Sequence, residues 1–273
     1  MLERDEVMEL QRHGLEAFVR ILARGAEDSQ LLTFPGVTAA AAPAAGQRSF
    51  VNSIVYRSAE ELAAAIDPLA VEYRSRGIEA WTVWTPEDDS AAIEILAAAG
   101  HCLDAAPAAM AIELADLPAP ELDGLDWDDE ATASEVASLN DLAYGWGHVG
   151  GFADAFTAVP DPALRLFRAR VEGKLACVAG TIDRDSDCVL AMVATHPERR
   201  GAGLARRLCH AALAAARDRG LRTSTLQATR LGQPVYERLG YRSYGTMEMW
   251  ERRYRSRGGN HVSPASPLLR PDS

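Results

Sequence analysis

The segment THPERRGAGLARRL, residues 195–208, constrains the fold more than any other. An apolar, β-rich run, CVLAMVAT, stops at Thr195, and an Ala/Leu-rich run of helical character starts near Gly203. A strand-to-helix turn with glycines at 201 and 203 would direct several consecutive N–H groups into one concavity, at the positive end of the helix dipole. Arg199, Arg200, Arg206 and Arg207 surround that turn with positive charge, so a phosphate cradle is one reading. The other is a plain helix start with a solvated arginine face. A dinucleotide fold is set aside, because Arg206 stands at the third glycine position and the preceding strands are spaced as hairpins.

The rest of the chain reads as alternating strands and helices. Apolar residues Val7, Leu10, Leu15, Phe18, Val19 and Leu22 predict an amphipathic helix over about 3–24. TFPGVTAAAAPAAGQ reads as loop. RSFVNSIVY (strand), SAEELAAAIDPLAVEYRSRG (helix, capped by Ser58, with Pro68 expected to kink or split it), IEAWTVWT (strand), PEDDSAAIEILAAAG (helix) and APAAMAIEL (strand) follow. After the linker ADLPAPELDG come a helix over about 132–144, the loop GWGHVGG, a short helix FADAFTAV and a three-stranded antiparallel meander. A helix over about 203–219, the strand RTSTLQAT, a short helix GQPVYERLG and two strands to Arg253 complete the pattern. The tail, 255–273, has the composition of a disordered segment.

Charge separates the halves. Before residue 120 there are 8 basic against 19 acidic residues, and after it 20 against 20. Neither half has the basic excess of a nucleic-acid binder. Cys102, Cys177, Cys188 and Cys209 sit singly with no metal or redox spacing, and read as reduced core thiols. With no apolar signal core and no long apolar run, the chain is expected to be cytoplasmic and off the membrane. The halves also echo one another: each has a helix ending in glycine (Gly100, Gly240), then a ring residue (His101, Tyr241), then a Met-bearing strand. Only the second half has the glycine turn; the first has YRSAEELA in its place.

VATHPERRGAGLARRL followed by LQATRLGQPVYERLGY resembles the two central motifs of the GCN5-related N-acetyltransferase (GNAT) superfamily. The family's [Q/R]-x-x-G-x-[G/A] signature is matched by Arg200, Gly201, Ala202, Gly203, Leu204 and Ala205, and the motif ending L-G-[F/Y] by Thr225 to Tyr241. The resemblance implies an α/β protein of two GNAT-like halves, each a mixed, mostly antiparallel sheet flanked by helices. It divides the chain into 1–118, a degenerate domain without the cofactor loop, and 119–254, the acetyltransferase domain.

The resemblance also implies roles. The N–H groups of Gly201 to Arg206 would bind the pyrophosphate of acetyl-CoA, and the edge Val193, Ala194, Thr195 would hold its pantetheine arm and thioester. The strand carrying that edge splays from the next one in this family, leaving a V-shaped opening. Tyr236 falls on the usual general acid. The usual glutamate base has no counterpart in CVLAMVAT, and His196, adjacent to it, is expected to turn away. Tyr144, Trp146 and His148, on the segment that lines the acceptor pocket, suit a small apolar or ring-bearing amine.

The expected function is transfer of an acyl group from acetyl-CoA to an amine, on a small molecule or a peptide, by direct attack on the thioester. The expectation includes no nucleic acid, no membrane and no metal, and leaves a homodimer open. A non-catalytic acyl-CoA sensor and an O-acyltransferase are the rival readings. Lys174, the sole lysine, falls on a hairpin turn and is not a catalytic candidate.

Overall fold

The computed structural model describes residues 2–119, 121–146, 150–158 and 161–254. The predicted disordered tail, 255–273, lies outside the described residues. Among them no helix is long and apolar enough to cross a membrane.

In the first half the order is α1 (Arg4–Leu22), β1 (Gln30–Phe34), β2 (Val37–Ala41), β3 (Ser53–Tyr56), α2 (Ala59–Ser75), β4 (Ala80–Pro86), α3 (Ser90–Ala98), β5 (Cys102–Ala105) and β6 (Ala108–Glu113). The β1–β2 hairpin corrects the expected loop. Its second strand, VTAAA, is wholly buried; after Val37 and Thr38 it continues as three alanines, where small side chains suit the packing and propensity gives no strand signal. The strand expected from Arg48 starts only at Ser53, after a looped segment. Helix α2 runs unbroken through Pro68. Both Pro68 and Ala64, whose carbonyl loses its partner, face solvent, so water satisfies the freed oxygen. Cys102 is exposed rather than a core thiol.

The second half contains β7 (Asp126–Asp128), α4 (Ala133–Ala143), α5 (Phe152–Ala155), β8 (Leu164–Val171), β9 (Lys174–Arg184), β10 (Asp187–Thr195), α6 (Leu204–Asp218), β11 (Thr223–Ala228), α7 (Gln233–Glu237) and β12 (Arg242–Arg253). Thr132 and Glu135 form a reciprocal capping box at the start of α4. The antiparallel meander β8–β9–β10 is as expected. The two strands predicted before Arg253 are one strand, irregular between Ser243 and Thr246 where Gly245 takes a φ of 130°.

All strands join one mixed, mostly antiparallel sheet in the order β1-β2-β3-β4-β12-β6-β11-β10-β9-β8-β7, with β5 also on β12. The centre of this order is an exchange. Strand β6 of the first half pairs along its length with β11 of the second, Thr223 opposite Glu113 through Ala228 opposite Ala108. In return β12 crosses into the first half and pairs with β4, Met247 opposite Pro86 through Arg253 opposite Ala80. Helix α1 seals the junction from one face. Buried Gln11 on α1 donates from Nε2 to the Met110 carbonyl of β6 (3.0 Å) and the Leu226 carbonyl of β11 (3.1 Å). On α1 a Cβ at Gly14 would stand 2.7 Å from the Val189 side chain, so only glycine permits this approach to β10.

Candidate active site

Strand β10 is hydrogen-bonded to its parallel neighbour β11 only from Asp187 to Val189, opposite Thr223 to Thr225. Beyond Val189 the two strands part, which is the splay that the sequence motifs imply. The facing edge of β10 loses its ladder there and opens onto a cavity of about 500 Å3. On its other side β10 carries a bulge against β9 between Ala191 and Ala194, with Met192 at a φ of 54°. A non-glycine residue in that region is strained. The bulge is held from outside: Asn140 of α4 donates from Nδ2 to the Met192 carbonyl (3.1 Å) and to the Val136 carbonyl (2.8 Å).

At the mouth of the splay the chain turns from β10 into α6. Gly201 (φ 81°) and Gly203 (φ 72°), the latter the N-cap of α6, are left-handed. A Cβ built on either meets nothing within 4 Å, so the requirement for glycine is conformational and the space before the turn is open. No side chain caps the N-terminus of α6, and its first N–H groups point free into that space. This open, donor-rich concavity fits a pyrophosphate.

The arginines are less free than their number suggests. Arg200 donates to the Ala143 carbonyl (2.5 Å), Arg206 pairs with Glu121 (2.9 Å) and Arg199 with Glu172 (3.1 Å). Arg207 turns to the carbonyls of Glu121 (3.0 Å) and Asp123 (2.5 Å) in the linker, which corrects its expected place at the turn. Val193, Ala194, Thr195, Arg200, Gly201, Gly203, Leu204, Ala205 and Arg206 all line the cavity; Ala202 is exposed and stands outside its wall.

Tyr236 of α7 lines the same cavity, its ring edge-on to Tyr241 at 5.9 Å. Burial holds its hydroxyl well above the ordinary phenol range, so it is a neutral proton donor at physiological pH. Tyr144 and Trp146 also line the cavity, whereas His148 lies outside the described residues. His196 is turned to its own turn, where Nδ1 accepts from the Glu198 N–H at 3.3 Å. Lys174 is exposed on the β8–β9 turn.

Much of the remaining wall comes from residues that local sequence reading does not single out. Arg48, Phe50, Trp84 and Asp104 reach the cavity from the first half, and Glu251 and Arg253 from the exchanged end of β12. Arg48 sits over the Trp146 ring at 3.8 Å and 3.3 Å from Asp141. Burial pulls its pKa down to about 10, against the opposing pull of Asp141, and it stays charged at neutral pH. The signal that could have found it is an arginine closely following the alanine-rich run 39–45.

The acetyltransferase (GNAT) domain family matches residues 162–243, which span the meander, the glycine turn, α7 and the start of β12. No curated protein matches the chain. Among solved structures, a GCN5-related N-acetyltransferase from Kribbella flavida is similar at a TM-score of 0.63 and 18% identity, covering 92% of this chain and 97% of that one. One from Sphaerobacter thermophilus is similar at 0.52 and 16%, covering 88% and 92%. A tandem GNAT protein from the clavulanic acid biosynthesis pathway is similar at 0.52 and 14%, covering 92% and 97%. Each of these likenesses is one of fold over nearly the whole of both chains. The family match falls on the strands that form the splayed cleft and on its glycine turn, so residues 162–243 are where this chain matches the acetyltransferase (GNAT) domain family.

Proposed function

We propose that the chain transfers an acetyl group from acetyl-CoA to an amine by direct attack on the thioester. The observation that carries this reading is that one cavity holds the free edge of β10, the uncapped start of α6 and the neutral hydroxyl of Tyr236. In this reading the N–H groups from Gly201 to Arg206 bind the pyrophosphate, and Val193 to Thr195 align the pantetheine arm along the open strand edge. The bulge at Met192 releases backbone N–H groups from the ladder, and these are suited to stabilise charge developing on the carbonyl oxygen. Tyr236 supplies the proton that the departing sulfur takes up, and the proton shed by the nitrogen once it has bonded to the acyl carbon restores the tyrosine hydroxyl. The rest of the rate gain comes from alignment of the two reactants.

The division into 1–118 and 119–254 carries a functional difference. In the first half Ser58 caps α2 by accepting from the Glu61 N–H (3.3 Å), and the Glu61 carboxylate turns back to bond the Ser58 hydroxyl at the helix start. A carboxylate there repels a phosphate, so a single cofactor site per chain is expected.

The test is calorimetric titration of acetyl-CoA into the wild type and into Gly203→Glu, which sets a carboxylate where the pyrophosphate belongs. One equivalent bound by the wild type and none by the variant supports the reading. Absence of binding to both, or equal binding to both, refutes it.

A further inference from the structure

Beyond the β10–β11 cleft the cavity continues into the first half, where it meets a guanidinium that the transfer chemistry leaves unused. Arg48 is only 5% exposed. The loop that presents it is fixed by fully buried Asn52, whose Nδ2 donates to the carbonyls of Ala45 (3.0 Å) and Arg48 (3.2 Å) while its Oδ1 accepts from the Ala42 N–H (2.8 Å). The plane of the guanidinium is set by Trp146 beneath it. Arg48 is therefore held in place before any ligand arrives.

Its donors are not all used. Nη1 is buried and makes no hydrogen bond among the described residues; its 3.3 Å approach to Asp141 is an ion pair without hydrogen-bond geometry. Two of the carboxylates at this end are already engaged. Asp141 already takes the N–H groups of Phe152 (2.9 Å) and Ala153 (2.8 Å). Glu251 takes the Ser49 hydroxyl (2.5 Å) and the Arg253 guanidinium. Nη1 is turned to Asp141 and away from the cavity, but the guanidinium as a whole lines the cavity wall, and a planar carboxylate is the group whose two oxygens match a guanidinium edge. Phe50, in edge contact with Trp84 (6.5 Å) and Phe152 (6.4 Å), gives the adjoining wall an aromatic surface.

We infer that the acyl acceptor is an amine that also carries a carboxylate, bound by Arg48, with an apolar or aromatic body against Phe50 and Trp84. This assignment rests on the transferase reading above. It makes the half without the glycine turn the source of acceptor specificity.

The experiment uses the full chain and three matched pairs of probes: phenylalanine and phenylalaninamide, tryptophan and tryptophanamide, leucine and leucinamide. Thiol release with acetyl-CoA and calorimetric binding in the presence of coenzyme A are measured for each, on the wild type, Arg48→Met and Arg48→Lys. The wild type is expected to favour at least one acid over its amide by about tenfold or more. In Arg48→Met that preference should fall to within about twofold, Arg48→Lys should keep part of it, and acetyl-CoA binding should be unchanged in both. Should Arg48→Met fail to fold, judged by its melting curve and acetyl-CoA titration, Trp146→Leu removes the supporting plane and is expected to weaken the same preference. Three results overturn the assignment: equal handling of acids and amides by the wild type, no binding of any acid, or an acid preference that survives Arg48→Met. If acetyl-CoA binds and the acids show no preference, only the carboxylate site falls; if acetyl-CoA itself does not bind, the transferase reading falls instead.

Discussion

The side-chain amide of Asn140 donates to the main-chain carbonyl of Met192 at 3.1 Å, joining the middle of α4 to the one strained residue of β10. A β-bulge shifts the residues after it by one position relative to the neighbouring strand, so this bond fixes the register of the edge Val193 to Thr195. Asn140→Leu keeps the volume and removes the donor, leaving the Met192 carbonyl buried and unpaired. The expected loss is about 1–3 kcal/mol of stability, read from denaturant midpoints, together with a fall in kcat that exceeds any change in KM for acetyl-CoA. A variant with unaltered turnover would show that the bulge holds itself.

Tyr236→Phe removes only the hydroxyl. A general acid contributes about 10²- to 10⁴-fold, so kcat should fall by at least about 10² while acetyl-CoA affinity from calorimetry stays the same. Because burial holds the wild-type phenol above its ordinary range, Tyr236 should cause no loss of rate on the alkaline side up to the ordinary phenol pKa. A non-catalytic acyl-CoA sensor would show no turnover to lose.

His101 is buried, its ring packed edge-on to Trp81 at 4.5 Å and neither ring nitrogen hydrogen-bonded. Burial, with the positive charge of Arg252 as a smaller cause, lowers its pKa from 6.5 to about 4. The unfolded chain thus takes up a proton at a higher pH than the folded one. Its contribution to stability is complete above pH 6.5 and is lost as pH falls from there through 4. The loss amounts to roughly 3 kcal/mol from one such group. His101→Phe should flatten that part of the pH–stability curve and raise stability at every pH, since it removes two unsatisfied nitrogens. Parallel pH profiles of the two proteins would contradict this.

The strand exchange predicts that the halves unfold together. Calorimetric scanning should give one transition, and separately produced 1–118 and 119–254 should each fail to give a cooperative melt, because each lacks the strand that the other supplies. Two separable transitions in the intact chain would refute the coupling.

The glycine turn and the meander were legible because their signals are local: φ requirements and hairpin spacing lie within a few residues. The β1–β2 hairpin was not, because Ala39 to Ala41 satisfy a packing need that propensity does not report. Strands β6 and β12 were readable as strands, yet their partners were not, since Arg242 opposite Ala111 is a pairing across more than a hundred residues that no local pattern carries. Arg48 stayed hidden for the same reason. Its importance lies in Trp146 and Asp141, which meet it only once the halves are folded together.

The exchange has a further consequence for how the protein comes into being. When the ribosome has made β6, the edge that β6 will join, on β11, has not yet been translated, and the gap between β4 and β5 waits for the last strand, β12. The emerging chain must carry an unpaired strand and an unfilled sheet through the synthesis of the whole second half. Domain-by-domain folding during translation is closed to it, and until β12 has emerged the open edges are exposed to any other nascent chain.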